Sequence, residues 1–156
     1  MTSTSENPNR LHAWSYVIVQ AVLLVLVIFL SQNSGPRIHR LVVLGGICEW
    51  LGIVGIVISG ASLRKSLTAV PIPKKDGKLS TTGLYRYVRH PMYTSVLLFA
   101  IGIAIRSGTI AKYLLVMGLY FLFYEKSKYE ERFLEIKYPD YAEYARRIPR
   151  FIPFTK

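Results

Sequence analysis

The sequence predicts an all-α integral membrane protein, with about four transmembrane helices and a C-terminal cytoplasmic amphipathic helix. Three observations lead there. The 156 residues are 51% hydrophobic yet carry a net charge of +11. The apolar residues gather in four runs, 13–30, 41–61, 91–105 and 109–124. Sixteen of the twenty Lys and Arg lie in segments that four crossings bring to one face. Basic residues crowding one side of apolar spans reconcile the charge with the hydropathy. A nucleic-acid binder would carry its charge as a stripe on a water-soluble scaffold, and these runs leave little of one. Nucleic acid is therefore not an expected partner. Cys48, the single cysteine, cannot form an internal disulfide and lacks the companions of a zinc site, so no metal is expected.

The first run, Ala13 to Leu30, is interrupted only by Ser15 and Gln20. At ~1.5 Å per residue it can just cross a hydrocarbon core of ~30 Å. Trp14 and Tyr16 sit where an aromatic belt lies. The run lacks a small-residue cleavage site and reads as a retained span. Gly35 and Pro36 then break the chain.

The second run, Leu41 to Ala61, contains five glycines, which suit close helix packing. Glu49 lies inside it. An ionised carboxylate in lipid is costly, so Glu49 should face the bundle interior, either near a ligand or as a polar contact between helices.

Residues 62–90 form one long hydrophilic loop, with seven Lys and Arg against the single acid Asp76. The tight link Arg106-Ser107-Gly108 makes the last two runs an antiparallel helical hairpin. Residues 125–156 are charged and rich in tyrosine. There Asp140 should cap a helix, with Glu143 reaching back to it and Pro149 ending it. The whole of 1–156 reads as a single membrane domain. The positive-inside rule puts the loop, the tail and both termini in the cytoplasm.

The loop and tail thus share a membrane face, and two clusters stand out on it. In Gly83-Leu84-Tyr85-Arg86-Tyr87-Val88-Arg89-His90-Pro91-Met92-Tyr93, Pro91 suits the first position of a helix. Its free N–H groups and partial positive charge can bind a carboxylate. Arg89 and His90 add donors, and Tyr85, Tyr87 and Tyr93 add aromatic faces. Such a set suits a ligand with a carboxylate, an aromatic base and a cation, and serves equally as an interfacial anchor. The second cluster is Lys126-Ser127-Lys128-Tyr129-Glu130-Glu131-Arg132, with Lys126 and Glu130 on one helix face. It can bind ribose hydroxyls or an amino group, or be a solvated charge run.

Taken together, Gly83, Tyr85, Arg89-His90-Pro91, Tyr93, Glu130-Glu131-Arg132-Phe133-Leu134, Tyr141, Tyr144, Pro149 and Pro153 resemble a known C-terminal signature. It belongs to the isoprenylcysteine carboxyl methyltransferase family and its bacterial and phospholipid-methylating relatives. The likeness covers about residues 70 to 156. It implies a methyltransferase that uses S-adenosylmethionine on a lipophilic or lipidated substrate at the membrane interface. It implies that Tyr85, His90, Pro91, Met92 and Tyr93 line the cofactor site, with Gly77, Lys78, Leu79 and Ser80 before the glycine turn and Glu130 across the hairpin. Where the family often has an arginine at the substrate, this chain has Lys126. Ser95 stands where relatives commonly carry glycine.

Methyl transfer from a sulfonium is an in-line displacement that requires no metal and no covalent enzyme intermediate. A carboxylate acceptor is already ionised at pH 7. An amine or phenol needs a base, for which Glu131 is the candidate. Lys126, Glu131 and Arg89 are the candidate catalytic residues. Two rival readings share the terminal hairpin: a sterol-reductase-like membrane enzyme using NADPH, and a non-catalytic membrane subunit.

Overall fold

A computed structural model describes residues 8–30, 38–63 and 79–153. Among them all regular structure is helical: α1 (Pro8–Phe29), α2 (His39–Leu63), a short 3-10 turn (Gly83–Arg86), α3 (Pro91–Ser107), α4 (Ile110–Lys137) and α5 (Tyr141–Arg147). Of these, α2 is long and apolar enough to cross a membrane, at 25 residues. The apolar stretches Ala13–Phe29 and Pro91–Ser107 are shorter. Much of the α2 surface is exposed and apolar, with Trp50 at 70% and Val57 at 64% exposure.

The central helix is α3, which packs on α1, α2 and α4. Its contact with α2 is close because glycines on both helices leave no Cβ to hold the backbones apart. A Cβ on Gly52 would lie 2.7 Å from the Phe99 nitrogen, and one on Gly102 would lie 2.6 Å from the Gly45 carbonyl oxygen. Ser95, the residue in place of a glycine, fits because its Oγ donates to the Pro91 carbonyl at 2.7 Å and its neighbour across the seam is Gly55. On the other side of α3 the core is Val27, Leu97, Ala100, Ala104, Val116, Leu119, Phe123 and Phe151.

The expected hairpin is present. Gly108 adopts φ 64° and donates its N–H to the Ala104 carbonyl, ending α3 in a left-handed cap two residues before α4 starts. Beyond Gly108 the helix expected to carry Lys126 and Glu130 on one face continues directly from the last apolar run. The apolar run from Ile110 and the charged residues as far as Lys137 are one helix of 28 residues, about 42 Å long at ~1.5 Å per residue. No proline or glycine interrupts residues 119–138, and good helix formers such as Glu125, Lys126, Glu130 and Leu134 carry the helix onward until Pro139. The expected capping box, by contrast, is not formed. Asp140 precedes α5 without a side-chain cap, and Glu143 pairs forward with Arg147. In the hydrophilic loop, 62 and 63 belong to the end of α2, and 64–78 lie outside the described residues, as do Gly77 and Lys78.

Candidate functional site

Pro91 begins α3 and is fully buried, so the residues just before it must turn sharply into the bundle. The C-terminal segment fixes that turn. Arg89 donates its backbone N–H to the Pro149 carbonyl at 2.8 Å, and His90 donates to Arg150 at 3.1 Å. Thr94 Oγ1 donates to the Phe151 carbonyl at 2.9 Å. The chain's last described turn is therefore strapped across the start of α3. The first helical bond there is Thr94 N–H to the His90 carbonyl at 3.1 Å, so Met92 and Tyr93 precede it with no carbonyl of their own in the helix.

The two adjacent glutamates of α4 part company at this end. Glu131 turns into the protein, 8% exposed, and is gripped on all sides. His90 Nε2 lies 2.9 Å from its Oε1, Arg150 Nε donates to Oε1 at 3.1 Å, and Arg150 Nη2 donates to Oε2 at 2.5 Å. Arg89 Nε adds a cation at 3.5 Å without a hydrogen bond of its own. Burial alone would raise the Glu131 pKa. The hydrogen bonds from His90 and Arg150, aided by the charges of His90 and Arg89, outweigh it and hold it down to about 2. An ionised carboxylate only accepts, so His90 carries its proton on Nε2.

Glu130 faces the other way and keeps 27% of its side chain open to water. Its Oε2 accepts from Tyr93 Oη at 3.0 Å and lies 3.7 Å from His90 Nδ1. Tyr93 is the middle of an aromatic column. It stacks on His90 at 5.4 Å and 2°, and on Phe123 at 4.7 Å and 10°. Lys126 Nζ lies 5.2 Å from the Tyr93 ring centroid and donates to Gln20 Oε1 of α1 at 2.7 Å. Lys126 is 3% exposed, and burial lowers its pKa against the opposing pull of Glu130.

Three tyrosines border this group. Tyr144 Oη donates to the Tyr85 carbonyl at 2.6 Å, tying α5 to the 3-10 turn. Burial, followed by the field of Glu130, raises the Tyr85 pKa, and burial raises those of Tyr141 and of Tyr144, the last to about 12. All three stay neutral donors near pH 7.

The structure thus brings together Tyr93, Glu130, His90 and Lys126, with Tyr85 in the electrostatic reach of Glu130. It does not bring Met92 to them, because its Cε points toward Gly60 of α2. Leu79 and Ser80 are half-buried and lie before the turn. Glu131 and Arg89, two of the candidate catalytic residues, lie together in this ion-pair cluster. Glu49 is remote from all of this. Its Oε2 accepts from Arg106 Nη1 at 2.7 Å, at the opposite end of α3, which makes it a contact between helices.

Sequence reasoning missed Gln20, Phe123, Arg150 and Phe151. Gln20 carried a signal, as one of two polar interruptions in the first apolar run. Arg150 sits between the two closing prolines. The stacking of Phe123 and Phe151 had no signal, since they read as ordinary apolar residues.

The α3 N-terminus is thus lined with aromatic rings and faced by a carboxylate of the returning helix. The phospholipid methyltransferase family model matches residues 41–141, and the chain belongs to that family. It is similar to the cobalt-zinc-cadmium resistance protein CzcN of Cupriavidus metallidurans, with 31% identity over 93% of this chain and 64% of the relative. It is similar to protein-S-isoprenylcysteine O-methyltransferase B of Arabidopsis thaliana, with 30% identity over 68% of this chain and 61% of the relative. The protein-S-isoprenylcysteine O-methyltransferase of Schizosaccharomyces pombe is 29% identical over 74% of this chain and 50% of its own length. The chain spans less than two thirds of the length of each of these relatives.

Proposed function

We propose that this chain is a methyltransferase that uses S-adenosylmethionine on a lipophilic acceptor, at the cytoplasmic face of a membrane. The observation that carries this reading is the Glu130 carboxylate, brought by α4 to the aromatic N-terminus of α3 and open to water. The residues fit the cofactor chemically. The carboxylate suits a ribose or a cationic centre, and the His90 and Tyr93 rings offer faces to an adenine or a sulfonium. Backbone N–H groups of Met92 and Tyr93 suit a carboxylate. Tyr85, His90, Pro91, Tyr93 and Glu130 would hold the cofactor, with the segment Gly77, Lys78, Leu79 and Ser80 before the turn and Met92 contributing backbone only.

When bound, S-adenosylmethionine supplies a methyl group activated on sulfur. The protein then has to align an acceptor and keep water away. Lys126 is the residue we assign to the acceptor's polar head. Its long stem can lie among apolar groups while its ammonium meets an anion. An oxyanion acceptor needs no base, which agrees with a Glu131 committed to holding His90. An isoprenylcysteine-like carboxylate is one such acceptor, in keeping with the names of two relatives.

The proposed topology is four spans, 13–30, 41–61, 91–105 and 109–124, with both termini cytoplasmic. It is supported by the apolar outward surface of α2 and by the segregation of basic residues. Titration of the detergent-solubilised protein with S-adenosylmethionine and, separately, with NADPH tests the cofactor. Binding of NADPH alone would replace this reading with the reductase one. Incubation with methyl-labelled cofactor and a lipid extract, followed by mass analysis of the labelled product, identifies the acceptor.

A further inference from the structure

Arg150 touches His90 by two routes. Its carbonyl accepts the His90 backbone N–H at 3.1 Å. Its guanidinium grips both oxygens of Glu131, Nε donating to Oε1 at 3.1 Å and Nη2 to Oε2 at 2.5 Å. Glu131 Oε1 in turn lies 2.9 Å from His90 Nε2. The C-terminal strap therefore fixes the backbone of His90 directly and its ring through one carboxylate. A two-pronged grip sets the plane of that carboxylate, which a point charge does not do. Arg89 makes the contrast, since its Nε brings charge to 3.5 Å without a hydrogen bond.

The consequence falls on the other ring nitrogen. A neutral imidazole has one N–H, and two carboxylates flank this one. Glu131 stands 2.9 Å from Nε2, and Glu130 stands 3.7 Å from Nδ1. A proton on Nε2 leaves Nδ1 as a lone pair. The Glu130 carboxylate is an acceptor as well, so these two do not bond to each other. Stacking on Tyr93, at 5.4 Å and 2°, keeps the ring in plane between them.

We propose that Arg150 is a positioning residue of the cofactor site. Acting through Glu131, it holds His90 in the Nε2–H tautomer, so that Nδ1 and the Glu130 carboxylate form one acceptor pair. This rests on the methyltransferase reading and states what the pair takes from S-adenosylmethionine. It takes a group with two donors, the ribose diol or the α-ammonium.

The tautomer is read directly by NMR of the histidine ring nitrogens, on the whole chain in detergent. His12→Gln and His39→Gln leave His90 alone of the 3 histidines. In alkaline buffer, where an imidazole is neutral, the spectrum should show a protonated Nε2 and a bare Nδ1. Arg150→Lys keeps the charge beside Glu131 but has no fork. It should hold the thermal melt, populate both tautomers and weaken S-adenosylhomocysteine binding about tenfold, the scale of one charge-assisted hydrogen bond. Arg150→Met should do the same and also lower the melt. Methylthioadenosine, which has the diol but no amino-acid part, separates the two donor groups. A matching loss assigns the pair to the ribose, and a loss confined to S-adenosylhomocysteine assigns it to the ammonium. A tautomer unchanged in Arg150→Lys overturns the proposal, as does a wild type with its proton on Nδ1. So does a changed tautomer with unchanged S-adenosylhomocysteine affinity. The NMR needs no cofactor. A wild type that binds neither ligand, while its tautomer still responds to Arg150, would sink the cofactor reading and leave the hold of Arg150 on His90 standing.

Discussion

His90 and Glu131 are joined across the α3–α4 seam by a 2.9 Å hydrogen bond, and Arg150 closes on the same carboxylate from the C-terminal strap. One buried acid thereby ties together three segments distant in sequence. Removing it would leave Arg150 and Arg89 close together with no counter-charge. Breaking a buried ion pair from one side costs about 3–5 kcal/mol. Glu131→Ala should therefore lower the thermal unfolding temperature in detergent far more than Glu130→Ala does. Equal melting temperatures for the two variants would remove the structural role assigned to Glu131.

The same clamp predicts acid sensitivity. The Glu131 pKa falls from an ordinary 4.5 to about 2 on folding. A depressed carboxylate pKa stabilises the fold above its unfolded value, and that stabilisation is lost as pH falls from about 4.5 toward 2. A shift of that size corresponds to about 3 kcal/mol. Unfolding monitored by circular dichroism should show the loss in this window. Glu131→Gln, which cannot titrate, should lack this component.

Much of the architecture was legible because it follows from local chemistry. Pro91 and Gly108 mark the two ends of α3, and the glycines of α2 announce a tight seam. The continuity of α4 was not legible from hydropathy, because the change from apolar to charged at Glu125 marks a change of surroundings and leaves the helix intact. The His90, Tyr93 and Glu130 grouping was implied by the family resemblance, and the residues alone left both clusters open. The division of labour between Glu130 and Glu131 was not implied. Adjacent helical residues point about 100° apart, and which one turns inward depends on Arg150, brought in by a strap that no periodicity reveals.

The α2–α3 seam yields a packing prediction. A Cβ at Gly52 meets the backbone of Phe99 at 2.7 Å, so Gly52→Ala must push the helices apart. The expected cost is about 1–3 kcal/mol. Gly46 has nothing within 4 Å of its added carbon, and Gly46→Ala should be neutral or gain up to ~1 kcal/mol of helix propensity. Thermal melts of the two variants in one detergent compare them directly. A melt for Gly52→Ala no lower than that of Gly46→Ala would contradict the close seam.

The proposed topology is open to reporter fusions. Fusions after Gln32 and Ser107 should report the outside, and those after Asp76 and Lys156 the inside. An inside signal after Ser107 would place the two ends of the α3–α4 hairpin on the wrong faces, and the shared cytoplasmic site would go with it.

Glu130 offers the sharpest test of the cofactor site. Its carboxylate accepts from Tyr93 and remains partly open to water, so it has capacity left for a ligand. Glu130→Ala should leave the protein folded and weaken S-adenosylmethionine binding by about 1–3 kcal/mol, the range for losing a hydrogen bond to a charged group. Arg132, exposed on the same helix, is the control, and Arg132→Ala should do much less. Tyr93→Phe separates two roles of the tyrosine. It keeps the ring that stacks on His90 and Phe123 but releases Glu130 from its 3.0 Å hydrogen bond. If that bond merely orients Glu130, Tyr93→Phe should cost less than Glu130→Ala, and the double variant should cost no more than Glu130→Ala alone. Fully additive losses would mean that the hydroxyl acts on the cofactor independently of Glu130. Equal losses from Glu130→Ala and Arg132→Ala would mean that binding responds only to net charge, and the assigned site would not stand.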